Sequence, residues 1–168
     1  MIITILFLVL YRAKKYPHIL SLLMIIFYMK SKSNIYLLLI GGLLILSYED
    51  VSYYAVYTNH LIMLEGLVFI YLFINHHHIF IYCVVKFIIC LLVIKFCVFI
   101  FNLFLNKKSK GEADYEIIAL VYMVSNLYTL LLVLWFSCLL GIFYLYLTKK
   151  QKLPFIPFLT IAAILIFA

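Results

Sequence analysis

From Ile79 to Leu105 the chain is apolar almost without interruption, broken by charge only at Lys86 and Lys95. About twenty apolar residues suffice for a helix to cross the hydrocarbon core of a bilayer, so this run crosses with length left over for tilt. In lipid a backbone must satisfy its own hydrogen bonds, which restricts a spanning segment to a helix or a closed barrel; a run of this length is a helix. Lys86 and Lys95 stand nine residues apart and therefore on opposite sides of it. At least one of them needs a polar partner, and Glu65, on the neighbouring apolar run, is the expected partner of Lys86.

Other apolar runs flank this one: Ile19 to Met29, Asn34 to Tyr48, Leu61 to Ile74, Leu127 to Leu147 and Leu153 to Ala168. The 69% apolar and 11% charged composition departs from the roughly 25% charge of a soluble domain. The expected fold is an all-α, polytopic integral membrane bundle of about six transmembrane helices, forming a single membrane domain over 1–168. Met1 to Tyr11 is an apolar segment of uncertain role, too short to span and unlike a secretory signal because its charges follow it. Residues 12–168 form the helical core. The stretch from Asp114 through the Ser125-Asn126 break to Leu147 reads either as two short spans or as a re-entrant piece and one span.

Thirteen Lys and Arg against six acids give a formal charge of +7. The cations sit mainly in short clusters between apolar runs, where they meet lipid head groups; the partner implied is a lipid bilayer, and no nucleic acid is expected. Clusters 12–15, 107–110 and 149–152 hold nine of the thirteen basic residues, which marks these loops as the expected cytoplasmic side. The four cysteines lie inside apolar runs, and Cys83, Cys90 and Cys97 recur every seven residues on one helix face. They read as small hydrophobes at a helix contact. His76 to His78 have no acidic or thiol companions nearby, so no metal and no cofactor is expected.

The acids are few and concentrated. Glu49 and Asp50 end one apolar run, and Glu112, Asp114 and Glu116 open another directly after Lys107, Lys108 and Lys110. Ionisable groups at a membrane edge are costly and mark candidate sites. Two spans separate Asp50 from Asp114, and an even number of crossings returns the chain to the face it left. Two neighbouring aspartates on one face share a proton, because like charges drive their pKa values apart. One carboxylate then takes a proton from water while the acid form polarises a peptide carbonyl. The competing structural account makes each an interfacial helix cap, with Asp114 at a helix N-terminus where a negative charge is stabilised.

Three stretches resemble the membrane core of the type IV prepilin peptidases, the intramembrane aspartic proteases that include the archaeal preflagellin peptidases. Gly111-Glu112-Ala113-Asp114 matches the Ala variant of the family's Gly-x-Gly-Asp segment, and a short apolar helix follows. Asp50 to Leu61 fits the position of the first family aspartate, at a helix end before a connection and another helix. Leu153-Pro154-Phe155-Ile156-Pro157-Phe158-Leu159 is similar to the Pro-Phe-Gly-Pro-Phe signature that opens the last helix, and Arg12 to Pro17 is similar to a basic-Tyr-Pro helix entry. The chain departs from the family at Glu116, often Lys, at Ile156, usually Gly, and at Thr58-Asn59, where Pro-Asn or Pro-Asp is usual. No counterpart of the family's N-terminal cysteine-knuckle domain precedes these stretches, so methyltransferase activity is not part of the expectation.

The resemblance implies an aspartic-type endopeptidase that cuts the leader of type IV prepilin-like or pseudopilin-like membrane proteins, with Asp50 and Asp114 as the catalytic pair. Gly111 and Ala113 allow a close turn, and Glu112, Glu116 and Glu49 either attract a basic leader or stand as solvated interfacial charges. The alternatives are a small transporter or channel subunit, with Asp50, Glu65, Lys86 and Asp114 along an ion path, and an inactive assembly partner.

Overall fold

The computed structural model describes residues 34–105, 111–149 and 153–167; the expectations for Met1 to Tyr11, for the run Ile19 to Met29 and for the loop cations at 12–15, 107–110, 150 and 152 lie outside them. Among the described residues there are six helices and no strand: α1 (Asn34–Tyr53), α2 (Thr58–Asn75), α3 (His77–Leu105), α4 (Glu112–Val124), α5 (Leu127–Thr148) and α6 (Phe155–Phe167). The all-α bundle is as expected from the apolar runs. Four helices, α1, α2, α3 and α5, are long and apolar enough to cross a membrane.

The breaks between helices have different local causes. Tyr54 takes a left-handed backbone (φ 52°) in the turn after α1, and Lys149 does the same (φ 53°) at the end of α5, where its N–H closes on Leu145. His76 alone separates α2 from α3, which makes those two an antiparallel hairpin. Asn126 starts α5 by accepting a hydrogen bond from the Thr129 N–H at 2.8 Å, a side-chain cap of the kind that stabilises helix starts. Pro154 precedes α6, where its missing N–H costs nothing.

The helices alternate in direction. Ring contacts of Phe69 with Phe80 and Phe87 tie α2 to α3, Tyr144 meets Phe158 between α5 and α6, and Tyr36 stacks on Phe167 between the start of α1 and the end of α6 (centroids 4.6 Å apart). One end of the bundle therefore gathers the end of α1 and the starts of α2, α4 and α6.

Two of the helices are short. α4 and α6 have 13 residues each, about 20 Å at helical rise, well under a hydrocarbon core of about 30 Å. The choice left open after Asp114 is thus resolved as a short piece, α4, followed by one long helix, α5. The short α6 is the most enclosed element: every residue from Ile156 to Ala163 is buried, packed on Leu39, Leu43 and Leu46 of α1 through the common core. Between them, Ser47 Oγ and Thr160 Oγ1 lie 2.6 Å apart, both fully buried. A buried hydroxyl pair of this kind is worth about 0.6–2 kcal/mol between membrane helices. α1 and α2 approach closely at Gly42, where a Cβ would sit 2.2 Å from the Leu64 side chain.

α3 lies at the periphery, with Ile81, Tyr82, Phe96, Phe99 and Phe104 exposed, as a lipid-facing helix requires. Its cysteine face is only partly a contact: Cys83 is buried, Cys90 is half-buried and Cys97 is exposed. The expected Glu65–Lys86 pair does not form. Lys86 Nζ donates instead to the Ser125 carbonyl oxygen and lies over the Tyr122 ring, 4.6 Å from its centroid. Glu65 Oε1 is left buried with no protein partner. The reason is one of position: the end of α4 presents a carbonyl without a helical partner where the Lys86 ammonium reaches it.

Candidate active site

Asp50 sits in the last turn of α1, 9% exposed. Its Oδ2 accepts a hydrogen bond from the Ile156 N–H at 3.1 Å. Pro154 and Pro157 remove two of the backbone donors around the start of α6, so Ile156 is one of the few N–H groups left to satisfy there. Asp50 thus caps α6 from another helix, and α6 offers its oxygen both a donor and the positive end of a helix dipole. The contact joins residues 106 positions apart. The Ser47–Thr160 pair, one helical turn deeper on both helices, sets the register that brings them together.

Asp114 stands in the first turn of α4, beside Glu112. Its carboxyl is pushed up to about 6, first by burial and second by the charge of Asp50. Two sequence-distant aspartates are therefore brought within electrostatic reach at one end of the bundle. Gly111 lies under Asp114: a Cβ at that position would be 2.9 Å from Asp114 Oδ2, so that a larger residue there displaces the carboxylate. Gly111 has φ −103°, so what selects glycine here is the space and not the backbone. Ala113 is half-buried beside the core.

The remaining acids divide. Glu49 is 4% exposed, so it is not a solvated interfacial charge. Its Oε2 accepts the Tyr57 N–H at 3.0 Å and its Oε1 pairs with His60 Nδ1, fastening the turn between α1 and α2 immediately beside Asp50. Glu112 is exposed at the rim. Glu116 is half-buried and within electrostatic reach of Glu65. All six acidic residues of the chain lie on the last turn of α1, the first half of α2 and the first turns of α4. No group of three or more His, Cys, Asp or Glu suited to a metal ion occurs among the described residues.

Family models, curated proteins and solved structures yield no match to the chain.

Two contributors were not singled out from sequence: the Ile156 N–H and the Glu49–His60 clasp. The first has a sequence signal in hindsight, since a segment bracketed by Pro154 and Pro157 leaves few N–H donors. The second is signalled by a histidine eleven residues beyond a carboxylate, across a short connection. Chemically, a half-buried carboxyl raised to about 6 and within electrostatic reach of the buried Asp50 has the makings of an acid and a base in one place.

Proposed function

We propose that the chain is an intramembrane aspartic endopeptidase that removes the leader peptide of type IV prepilin-like or pseudopilin-like proteins at the cytoplasmic face of the plasma membrane. The observation that carries this reading is that separate helices deliver Asp50 and Asp114 to one end of the bundle, within electrostatic reach of one another, each in contact with a motif that resembles the prepilin peptidases. Gly111 lies against Asp114, and Ile156 of the Pro-Phe-Ile-Pro-Phe segment holds Asp50.

In the proposed reaction the ionised aspartate takes a proton from water as the water oxygen attacks the scissile carbonyl carbon. The protonated aspartate gives its proton to the carbonyl oxygen, and a tetrahedral diol forms. Collapse of the diol breaks the C–N bond, the departing amine receives a proton, and the pair returns to sharing one proton. Water and the two carboxyls suffice, and the proposal includes no metal or cofactor. A substrate with a basic leader ahead of an apolar helix suits this end of the bundle: the helix stays in lipid while the leader meets the exposed Glu112 at the rim.

The test is cleavage of a co-expressed prepilin by wild type, Asp50→Asn and Asp114→Asn, read by gel mobility and by the new N-terminus. Cleavage by wild type and by neither variant is the expected result. If both single variants still cleave, the paired-aspartate mechanism is wrong. Failure of the wild type on several prepilins would favour the ion-path or assembly-partner reading instead.

A further inference from the structure

We propose that Lys86 is the positioning residue of Asp114: by capping α4 where that helix ends inside the bundle, it fixes the depth of α4 and holds Asp114 against Asp50. The claim deepens the protease reading and rests on it only for the catalytic consequence.

The break between α4 and α5 lies beside α3, partway along that candidate span. Ser125 bonds to Lys86, which is the tenth residue of α3, about 14 Å from that helix's start by helical rise. Among the described residues its helix is the most hydropathic of the candidate spans, with mean hydropathy 2.8 over its most apolar 18 residues. Irregular backbone inside a membrane is tolerated only where its polar groups find partners within the protein.

The polar groups of Ser125 and the side-chain oxygen of Asn126 all have partners. The Ser125 N–H donates to the Tyr122 carbonyl at 3.2 Å, and Ser125 Oγ donates to the Val121 carbonyl at 2.7 Å. Asn126 Oδ1 takes the Thr129 N–H and hydroxyl, each at 2.8 Å, which starts α5. The Ser125 carbonyl is taken by Lys86 Nζ, the one member of the set that comes from another helix. The ammonium also lies over Tyr122, at 4.6 Å, and near Tyr82, at 5.6 Å from the ring centroid. A cation suits the negative end of a helix dipole, and the two rings shield its remaining face.

Lys86 thus ties the far end of α4 to α3, while Asp114 occupies the near end. A helix of 13 residues moves as one rigid rod, so an axial slip at Ser125 appears undiminished at Asp114. The other three devices at the break are internal to the α4–α5 segment and would travel with it. Lys86 is the polar device that refers the end of α4 to α3, beside the apolar packing of Ile117, Leu120, Val121 and Met123 in the common core.

Crosslinking tests this without a substrate. In a chain with Cys83, Cys90, Cys97 and Cys138 replaced by Ala, one cysteine pair is introduced by Asp50→Cys with Asp114→Cys. A control pair, Ser47→Cys with Thr160→Cys, reports α1–α6 packing away from α4. Both are treated in membranes with short bis-thiol reagents. Lys86→Met should slow crosslinking of the 50/114 pair about tenfold, as displaced positions of α4 become populated, and leave the 47/160 pair unchanged; Lys86→Arg, which retains a charged donor, should restore the 50/114 rate. An unchanged 50/114 rate in Lys86→Met overturns the proposal. So does a parallel fall of both pairs, which would mark a general stability role, and so does an Arg variant that behaves like Met. Prepilin cleavage is scored separately, so a wild type that fails to cleave counts against the protease reading and leaves the crosslinking result standing.

Discussion

Replacing Gly111 with Ala adds one methyl group at the point where the site has least room. The new Cβ would lie 2.9 Å from Asp114 Oδ2, whereas ordinary contact begins at 3.4 Å. The carboxylate must retreat by about 0.5 Å, and since a 1 Å misplacement costs on the order of a hundredfold in rate, about a tenfold loss of kcat is expected. Folding should tolerate the change, because φ −103° is open to alanine and exchanging Gly for Ala at a helix N-cap costs below about 1 kcal/mol. The assay of the proposed activity is a cleavage time course with purified protein and prepilin in detergent, alongside thermal unfolding of the same preparation. The expected pattern is a reduced kcat, a KM close to wild type and a small fall in Tm. Wild-type kcat in Gly111→Ala would refute the reasoning, because the Asp114 carboxyl would then have no need of its observed position. A loss of activity matched by loss of folded protein would refute it equally.

Other outcomes follow from the same geometry. Asp114 carries a carboxyl pKa raised from 3.8 to about 6, so the folded protein binds its proton more tightly than the unfolded chain does; stability from this group is full below about pH 3.8 and is lost as pH rises through about 6. Thermal unfolding scanned across that window should show Tm falling with pH, and Asp114→Asn should flatten the fall; an equally steep profile in the variant would exclude Asp114 as its source. Gly42→Ala should destabilise by about 1–3 kcal/mol, because its Cβ would meet the buried Leu64 side chain. Gly66→Ala, with no atom within 4 Å of the new methyl, should be neutral or stabilising by about 0.5–1 kcal/mol. Unfolding of the two alanine variants in the same detergent compares them directly, and equal effects would show that α1 and α2 do not pack at Gly42 as described.

How much of the site was legible depends on how local each signal is. Asp50 and Asp114 stand out because a carboxylate beside an apolar run is costly wherever the run goes. Their common end was legible from the two spans between them, since parity of crossings needs no coordinates. Glu49 was harder: nothing in Glu49-Asp50 says which of two adjacent carboxylates turns toward the α2 connection and is consumed by Tyr57 and His60. The partner of Lys86 was misread for a related reason. Charge complementarity pointed to Glu65, but the orphan carbonyl of Ser125 belongs to a helix end whose depth is set by packing.

By itself the sequence determined that the chain is an all-helical membrane protein, where most of its helices begin and end, and that its few acids crowd into two short stretches. These are consequences of composition along the chain: apolar length decides what enters lipid, and Gly, Pro and polar pairs decide where a helix stops. Only the tertiary structure decided that α4 ends beside the first third of α3, that Lys86 serves its end, and that the Ile156 N–H reaches Asp50 across 106 residues. Those facts depend on the depth and rotation of one helix against another. In a chain where nearly every helix face is apolar, no hydrophobic periodicity records that rotation; it is chosen by close contacts such as Gly42 on Leu64 and Ser47 on Thr160.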